Sequence, residues 1–267
     1  MRITRLAGLV AAGALALTAA LPAAAADTAM VRVLHASPDA PAVDVWVDGS
    51  KVLSDVAFKG LSSYLKVPAG AHNIQVVVAG TTTPAVIDAT PTFEAGKQYT
   101  VAATGFVASI APQVYVDNGK AVDGSAKLRV VHLSPDAPAV DVAVKGQTPE
   151  QAPVKNLVFP NATDYLTLPP ATYDFEVRLA GTTTVALPLN GVDLAGGTNY
   201  TVFAVGSAGA DAPAGQALTA VVGMDGMAAP ATDTEPTASN AWMLLLAGAG
   251  LLGLVASRRF ATVRAGK

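Results

Sequence analysis

His35, Ser37 and Asp39 stand at alternate positions in HASPDAPAVDV, and Asp44 closes the same stretch. The set returns as His132, Ser134, Asp136 and Asp141 in HLSPDAPAVDV. An imidazole among carboxylates is a donor set for a divalent metal, and imidazole beside hydroxyl and carboxylate supplies the parts of a hydrolase. The spacing disfavours the hydrolase: His35 and Ser37 lie two residues apart on one short segment, too close for unaided attack geometry. No G-x-S-x-G elbow, H-E-x-x-H helix or D-x-D-x-D-G calcium loop accompanies them. The chain contains no cysteine, which removes thiolate metal sites, a cysteine nucleophile and a disulfide framework together. Catalytic, cofactor-binding and metal-ligating residues are therefore expected to be none, and these eight residues stand as ligand candidates only.

A structural role explains the same letters. In VRVLH, Val31, Val33 and His35 share one strand face, so the imidazole points with apolar neighbours; Leu128, Val130 and His132 repeat this. Ser37 and Ala40 each precede a proline and are pushed to extended conformations. Pro38 pre-sets a turn, and Asp39 can accept N–H groups within it. The expectation is a stiff connection between strands, with the imidazole satisfied by the loop backbone. His72 has no counterpart, since Tyr173 stands in its place, and is expected on a strand or the surface.

The elements that must position these loops repeat as well. Tyr64-Leu65 returns as Tyr165-Leu166, AGTTT at Ala79 as AGTTT at Ala180, and QYTVAATG at Gln98 as NYTVFAVG at Asn199. His35 and His132 are 97 residues apart, whereas Ala79 and Ala180 are 101 apart. The second copy thus carries four extra residues, placed most simply in the loop TPEQAPVKN.

Each copy reads as strands. Val43, Val45 and Val47 alternate with Asp44, Trp46 and Asp48, ending on an Asp48-Gly49 hairpin turn; Val140, Val142 and Val144 end on Lys145-Gly146. IQVVVAG and FEVRLAG lead through Ala-Gly turns into Thr-rich strands. Gly and Pro recur every 8 to 12 residues, and no segment before Ala241 sustains a helical period. Tyr99 and Tyr200 open apolar strands in a Gly-x-x-Tyr-Thr-Val context, where the hydroxyl either turns back onto upstream backbone as in a tyrosine corner or serves as an ordinary strand tyrosine. The expected fold class is all-β: two tandem immunoglobulin-like β-sandwich domains, residues 27–124 and 126–226, joined near Gly124-Ser125-Ala126, followed by a C-terminal transmembrane helix.

The ends indicate a compartment. Residues 1–26 hold Arg2 and Arg5, an apolar run and Ala24-Ala25-Ala26, the pattern of a secretory signal peptide. Residues 241–257 are seventeen uncharged residues, at the lower limit for a membrane span, and Arg258 and Arg259 follow directly. The positive-inside rule then makes 258–267 a cytoplasmic basic tail and leaves the rest outside. The Pro, Ala and Thr content of 227–240 suits an extended stalk. Two of the 17 basic residues lie before Asp27 and four after Ser257, leaving eleven against 20 acidic ones, a formal charge of −9 for the exported part. That charge repels phosphate backbones, so nucleic acid is excluded as a partner. An exported chain without disulfides and with this leader reads as bacterial.

The H-x-S-P-D-A-P-A-V-D-V stretch, the Tyr-Leu-x-Val-Pro-Ala-Gly segment and the Ala-Gly-x-x-Tyr-Thr-Val strand resemble the bacterial family called domain of unknown function 4397, over roughly residues 30–225. The resemblance implies exported or surface-displayed tandem domains and supplies no catalytic residues. The tail also resembles carboxyl-terminal sorting signals, but lacks Leu-Pro-x-Thr-Gly and offers Thr234-Glu235-Pro236 where a Pro-Glu-Pro would stand. Asn161-Ala162-Thr163 and Asn199-Tyr200-Thr201 match the glycosylation triplet, a match of little weight in a bacterial chain. Two functions follow. The first is a noncatalytic cell-envelope surface protein, a spacer, adhesion or binding module, held by its C-terminal helix and meeting an extracellular glycan or protein. The second is an extracellular metal-dependent ligand-binding protein or hydrolase using the repeated His/Ser/Asp loop.

Overall fold

A computed structural model of the chain describes residues 28–117, 124–209, 212, 213 and 215–225. The expected signal peptide, stalk, membrane span and basic tail lie outside these residues. Among the described residues, no helix is long and apolar enough to cross a membrane.

The first repeat supplies β1 (Thr28–His35), β2 (Val43–Val47), β3 (Ser50–Val56), β4 (Leu65–Pro68), β5 (Gly70–Ala71), β6 (Ile74–Val78), β7 (Ala85–Ala89), β8 (Thr92–Phe93), β9 (Gln98–Thr104) and β10 (Ala111–Asp117). The second supplies β11 (Ala126–Leu133), β12 (Val140–Val144), β13 (Val154–Leu157), β14 (Leu166–Leu168), β15 (Ala171–Leu179), β16 (Val185–Leu194), β17 (Asn199–Val205) and β18 (Thr219–Asp225). The sheets run β4-β1-β9-β10 and β3-β2-β6-β7 in the first repeat, then β14-β11-β17-β18 and β13-β12-β15-β16 in the second, with β5-β8 as a two-stranded extra. Each repeat is all-β with two four-stranded sheets, as its alternation and turn spacing predict. The strand order differs from the expected immunoglobulin-like one. In the immunoglobulin order the first strand lies in a sheet with the second, whereas here β1 pairs β4 and runs parallel to β9, and β2 belongs to the other sheet. The proline-rich SPDAP segment is the reason: it cannot make a tight hairpin, so it carries the chain across to the opposite sheet.

Alternation sets two cores. Val31, Val33, Tyr99 and Val101 face Val43, Val45, Ile74 and Val76 inside the first sandwich; Leu128, Val130, Tyr200 and Val202 face Val140, Val142, Phe175 and Val177 inside the second. The tyrosine corner is present in both: the Tyr99 hydroxyl accepts the N–H of Glu94 at 3.0 Å, and the Tyr200 hydroxyl that of Ala195 at 3.1 Å.

The four strands β1, β9, β11 and β17 are buried on both faces, so their polar side chains, Arg32, Thr100, Arg129 and Thr201 among them, are buried as well. Their second faces meet each other. Leu34, Ala36 and Ala102 from the first repeat pack with Val131, Leu133, Phe203 and Val205 from the second in a third core between the repeats. Burying one such large side chain contributes about 1.5–3 kcal/mol.

The turns follow the expected chemistry with one exception. Asp48 and Gly49 have φ of 49° and 77° and connect the paired Val47 and Ser50, a type I′ hairpin. In the second repeat the corresponding connection, from Val144 to Val154, contains a short 3-10 turn at Pro149–Gln151, so the four extra residues are a loop insertion. The Thr-rich segments are not strands. Thr81 bonds back to the Val78 carbonyl through its N–H and hydroxyl (3.0 and 2.7 Å), and Thr182 does the same to Leu179 (3.0 and 2.9 Å), extending the turns before β7 and β16.

Candidate functional site

The SPDAP loops begin where β1 and β11 leave their sheets. His35 is 0% exposed, stands edge-on to Phe58, and has both ring nitrogens engaged by its own loop: Nδ1 accepts the Ser37 N–H at 3.3 Å, and Nε2–H donates to the Pro41 carbonyl at 3.0 Å. His132 repeats this with Ser134 at 3.3 Å and Pro138 at 3.1 Å. One acceptor and one donor nitrogen define a neutral imidazole, and burial lowers the pKa of both rings, opposed by the carbonyl bond. Neither ring offers a free lone pair to a metal or to a nucleophile.

Ser37 and Ser134 are fully buried, and each hydroxyl points to the aspartate two residues on, at 3.4 and 3.3 Å. Asp39 and Asp136 are exposed. Asp39 accepts the Val107 N–H at 2.8 Å; Asp136 accepts the Ser207 hydroxyl at 2.6 Å and the N–H groups of Ala208 and Gly209 at 2.8 and 3.1 Å. This corrects the expectation of bonds within the turn itself. The parallel pairing of β1 with β9, and of β11 with β17, brings the loop after the later strand beside SPDAP, and its unpaired N–H groups face the carboxylate. Burial would raise the pKa of Asp136, but the Ser207 hydroxyl and two backbone N–H groups outweigh it and hold the carboxyl low.

Asp44 and Asp141 belong elsewhere. They lie on the outward-pointing face of β2 and β12, yet are only 2% and 3% exposed, because the neighbouring strands bulge over them. Asp44 accepts the N–H groups of Asp55 (2.9 Å) and Gly80 (3.3 Å) and pairs with Lys51 at 2.6 Å. Asp141 accepts those of Asn156 (2.7 Å) and Gly181 (2.8 Å). All four donors have positive φ, from 52° to 78°, so each carboxylate fastens a bulge on one side and a turn on the other. The bond from Lys51, and then that from Asp55, lowers the Asp44 pKa. In each repeat His, Ser and the first Asp are therefore linked through the serine, while Asp44 and Asp141 have separate partners. Among the described residues, no group of three or more His, Cys, Asp or Glu is placed to hold a metal ion.

Composition and motif spacing did not single out the most heavily bonded polar cluster, which lies between the repeats. Arg32 follows Val31, so it points opposite to Val33 and His35, toward the second repeat. Its Nη2 donates to Asp225, its Nη1 to the Met224 carbonyl at 3.0 Å and its Nε to the Thr100 hydroxyl at 2.8 Å. Arg129 answers with Nη2 to Asp117, Nη1 to the Val116 carbonyl at 2.8 Å and Nε to the Thr201 hydroxyl at 3.1 Å. Asp117 also accepts from the hydroxyls of Tyr64 (2.6 Å) and Thr100 (2.7 Å), and Asp225 from those of Tyr165 (2.7 Å) and Thr201 (2.6 Å). Each guanidinium carbon sits 4.8 Å from the centre of its own repeat's tyrosine ring. Both arginines are at most 4% exposed, and the two positive and two negative charges balance. The available signal was a pair of arginines at the same place in the repeated strand segments VRVLH and LRVVH.

These side chains bond chiefly to backbone and to each other. Among curated proteins, none matches this chain. Of solved structures, the Bacillus anthracis TIE protein is similar at 11% identity and a TM-score of 0.22 over 66% of this chain, which spans 33% of that protein. CBMbc (family CBM26) from Eubacterium rectale Amy13K, solved in complex with maltoheptaose, is similar at 10% identity and a TM-score of 0.24, covering 73% of this chain and 96% of that one. The family described as Domain of unknown function (DUF4397) matches residues 29–143 and 144–235, two tandem segments of which the first holds both His-x-Ser-Pro-Asp-Ala-Pro loops, and the chain belongs to that family.

Proposed function

We propose that this is a noncatalytic cell-envelope protein that displays two β-sandwich repeats outside the membrane as a spacer, adhesion or binding module. The observation that carries the reading is the state of the two imidazoles. His35 and His132 are 0% and 1% exposed, and each ring nitrogen is bonded to the backbone of its own loop. A general base or a metal ligand needs a nitrogen facing substrate or ion, and here both face backbone. In this reading residues 1–26 direct export, 241–257 anchor the chain, and 227–240 hold the repeats away from the bilayer. The acidic surface then meets a glycan or another protein, and not nucleic acid.

The test is a binding screen of residues 27–226 against glycans and matrix proteins, run beside an ester, peptide and glycoside hydrolysis panel with and without zinc and calcium. Saturable binding without turnover supports the reading. Turnover lost in His35→Asn and His132→Asn variants that remain folded would overturn it. Protease treatment of intact cells lacking an outer membrane tests topology: residues 27–240 should be cleaved from outside, and protection until lysis would reverse the orientation.

A further inference from the structure

The two repeats differ inside. Between the sheets of the first sandwich lies an apolar cavity of about 240 Å³, walled by Val45 and Val76 on one side and Val33 and Val101 on the other. It opens between β7 and β10, edge strands of the two sheets on the same side of the sandwich, where Thr90 and Val114 are exposed. No ionisable side chain lines it, and Thr90 is its one polar side chain. Water in a buried site needs two to four polar partners, so the interior favours hydrocarbon over water.

The second repeat carries larger side chains at two paired positions of this space. Ile74 and Ala89 face each other across β6 and β7; in the same register of β15 and β16 stand Phe175 and Leu189. Phe175 is 4% exposed and stacked on Tyr173 at 5.3 Å, and the apolar gap beside His132 and Val177 is about 30 Å³. The two copies of a duplicated core thus differ in side-chain volume at the place where the first has its cavity. An unfilled core of this size costs stability, and an apolar cavity of about 150 Å³ is large enough to take up benzene.

We propose that the first repeat is a binding site for a small neutral apolar group, a single aromatic ring or a short alkyl chain, entering between β7 and β10. The inference goes beyond surface display and does not depend on export or anchoring. Methyl NMR and thermal melts of the full chain in detergent-free buffer, titrated with benzene and with 1-hexanol, test it. Saturable shifts are expected at the methyls of Val45, Val76 and Val101 but not at Val142, Val177 and Val202, with a rise in Tm. Ala89→Leu and Ile74→Phe, each importing the second repeat's residue, should weaken binding at least tenfold and raise Tm without ligand. Leu189→Ala should create a new response at Val177. Absence of saturable shifts at the first-repeat methyls with both probes overturns the proposal. So does undiminished binding in whichever filling variants fold.

Discussion

Arg32 of the first repeat donates to Asp225 in the last strand of the second, and Arg129 of the second donates in the same way to Asp117 in the last strand of the first. The exchange is reciprocal, so each repeat presents one buried cation and one buried anion to the other. It sits beside the third core, where Phe203, Leu34 and Leu133 are fully buried. The repeats are thereby joined by a desolvated, charge-complementary face and not merely by a linker. Breaking one side leaves a buried charge unpaired, which costs about 3–5 kcal/mol. Arg32→Ala and Asp225→Ala are each expected to lose that much in urea unfolding. The double variant should lose less than the sum, and strict additivity would rule the pairing out.

The same face predicts how the halves behave apart. Residues 27–124 and 126–226, expressed separately, would each expose an apolar surface holding an unpaired arginine and aspartate. They are expected to recombine into a one-to-one complex on mixing, seen by size-exclusion chromatography with light scattering. Two halves that stay monomeric and stable when mixed would mean that the interface contributes little.

Gly223 marks a close approach across this face. A Cβ placed on it would lie 2.7 Å from Nη1 of Arg32, whose guanidinium is held by three partners and has nowhere to move. Gly223→Ala should therefore destabilise by about 1–3 kcal/mol. If Gly223→Ala melts like wild type, the guanidinium is not fixed as described.

Three aspartates of the repeated motif, Asp39, Asp136 and Asp141, should rank by what they hold. Asp136 has three acceptor contacts in the Ser207–Gly209 loop and Asp39 a single backbone N–H at Val107, so Asp136→Ala should cost about 1–3 kcal/mol and Asp39→Ala about 1 kcal/mol. Asp141→Ala leaves two buried N–H groups unpaired and should cost about 2–3 kcal/mol. Melts with calcium, zinc or chelator should superimpose for wild type and all three variants. A metal-induced rise in Tm that the variants abolish would instead assign these carboxylates to a metal.

Acidification should report the histidines. Burial lowers the pKa of His35 and His132 from the ordinary 6.5, so below that value the unfolded chain takes up protons that the folded chain refuses. The stability they contribute is fully present above 6.5 and is lost as pH falls from there toward the lowered folded value. Burial pushes the Asp225 carboxyl up from 3.8 against the pull of Arg32, an effect of opposite sign whose window begins at 3.8. The comparison is therefore wild type against a His35→Gln, His132→Gln variant between pH 7 and pH 5. The variant should show the shallower fall in Tm, and parallel curves would remove the histidines from the pH dependence.

Much of the architecture is legible from residue order because it is local. Two-residue alternation, the Asp48-Gly49 turn, the tyrosine corners and the offset change from 97 to 101 depend on neighbours in the chain, and each is found where the letters place it. Burial of the two histidines is local in the same sense, since the loop that satisfies each ring begins with the histidine itself. What the tertiary structure alone decided depends on pairings across long separations. The crossing of the SPDAP loop to the opposite sheet places β1 beside β9, and only that parallel pairing brings Asp39 to Val107 and Asp136 to Ser207. Arg32 meets Asp225 across 193 positions, because Leu34 and Ala102 on the outer faces of β1 and β9 are covered only by the second repeat's sheet. The cavity is the same kind of fact. Ile74 and Ala89 are unremarkable residues in their own strands, and their smaller size matters only where two sheets face each other and nothing else fills the space.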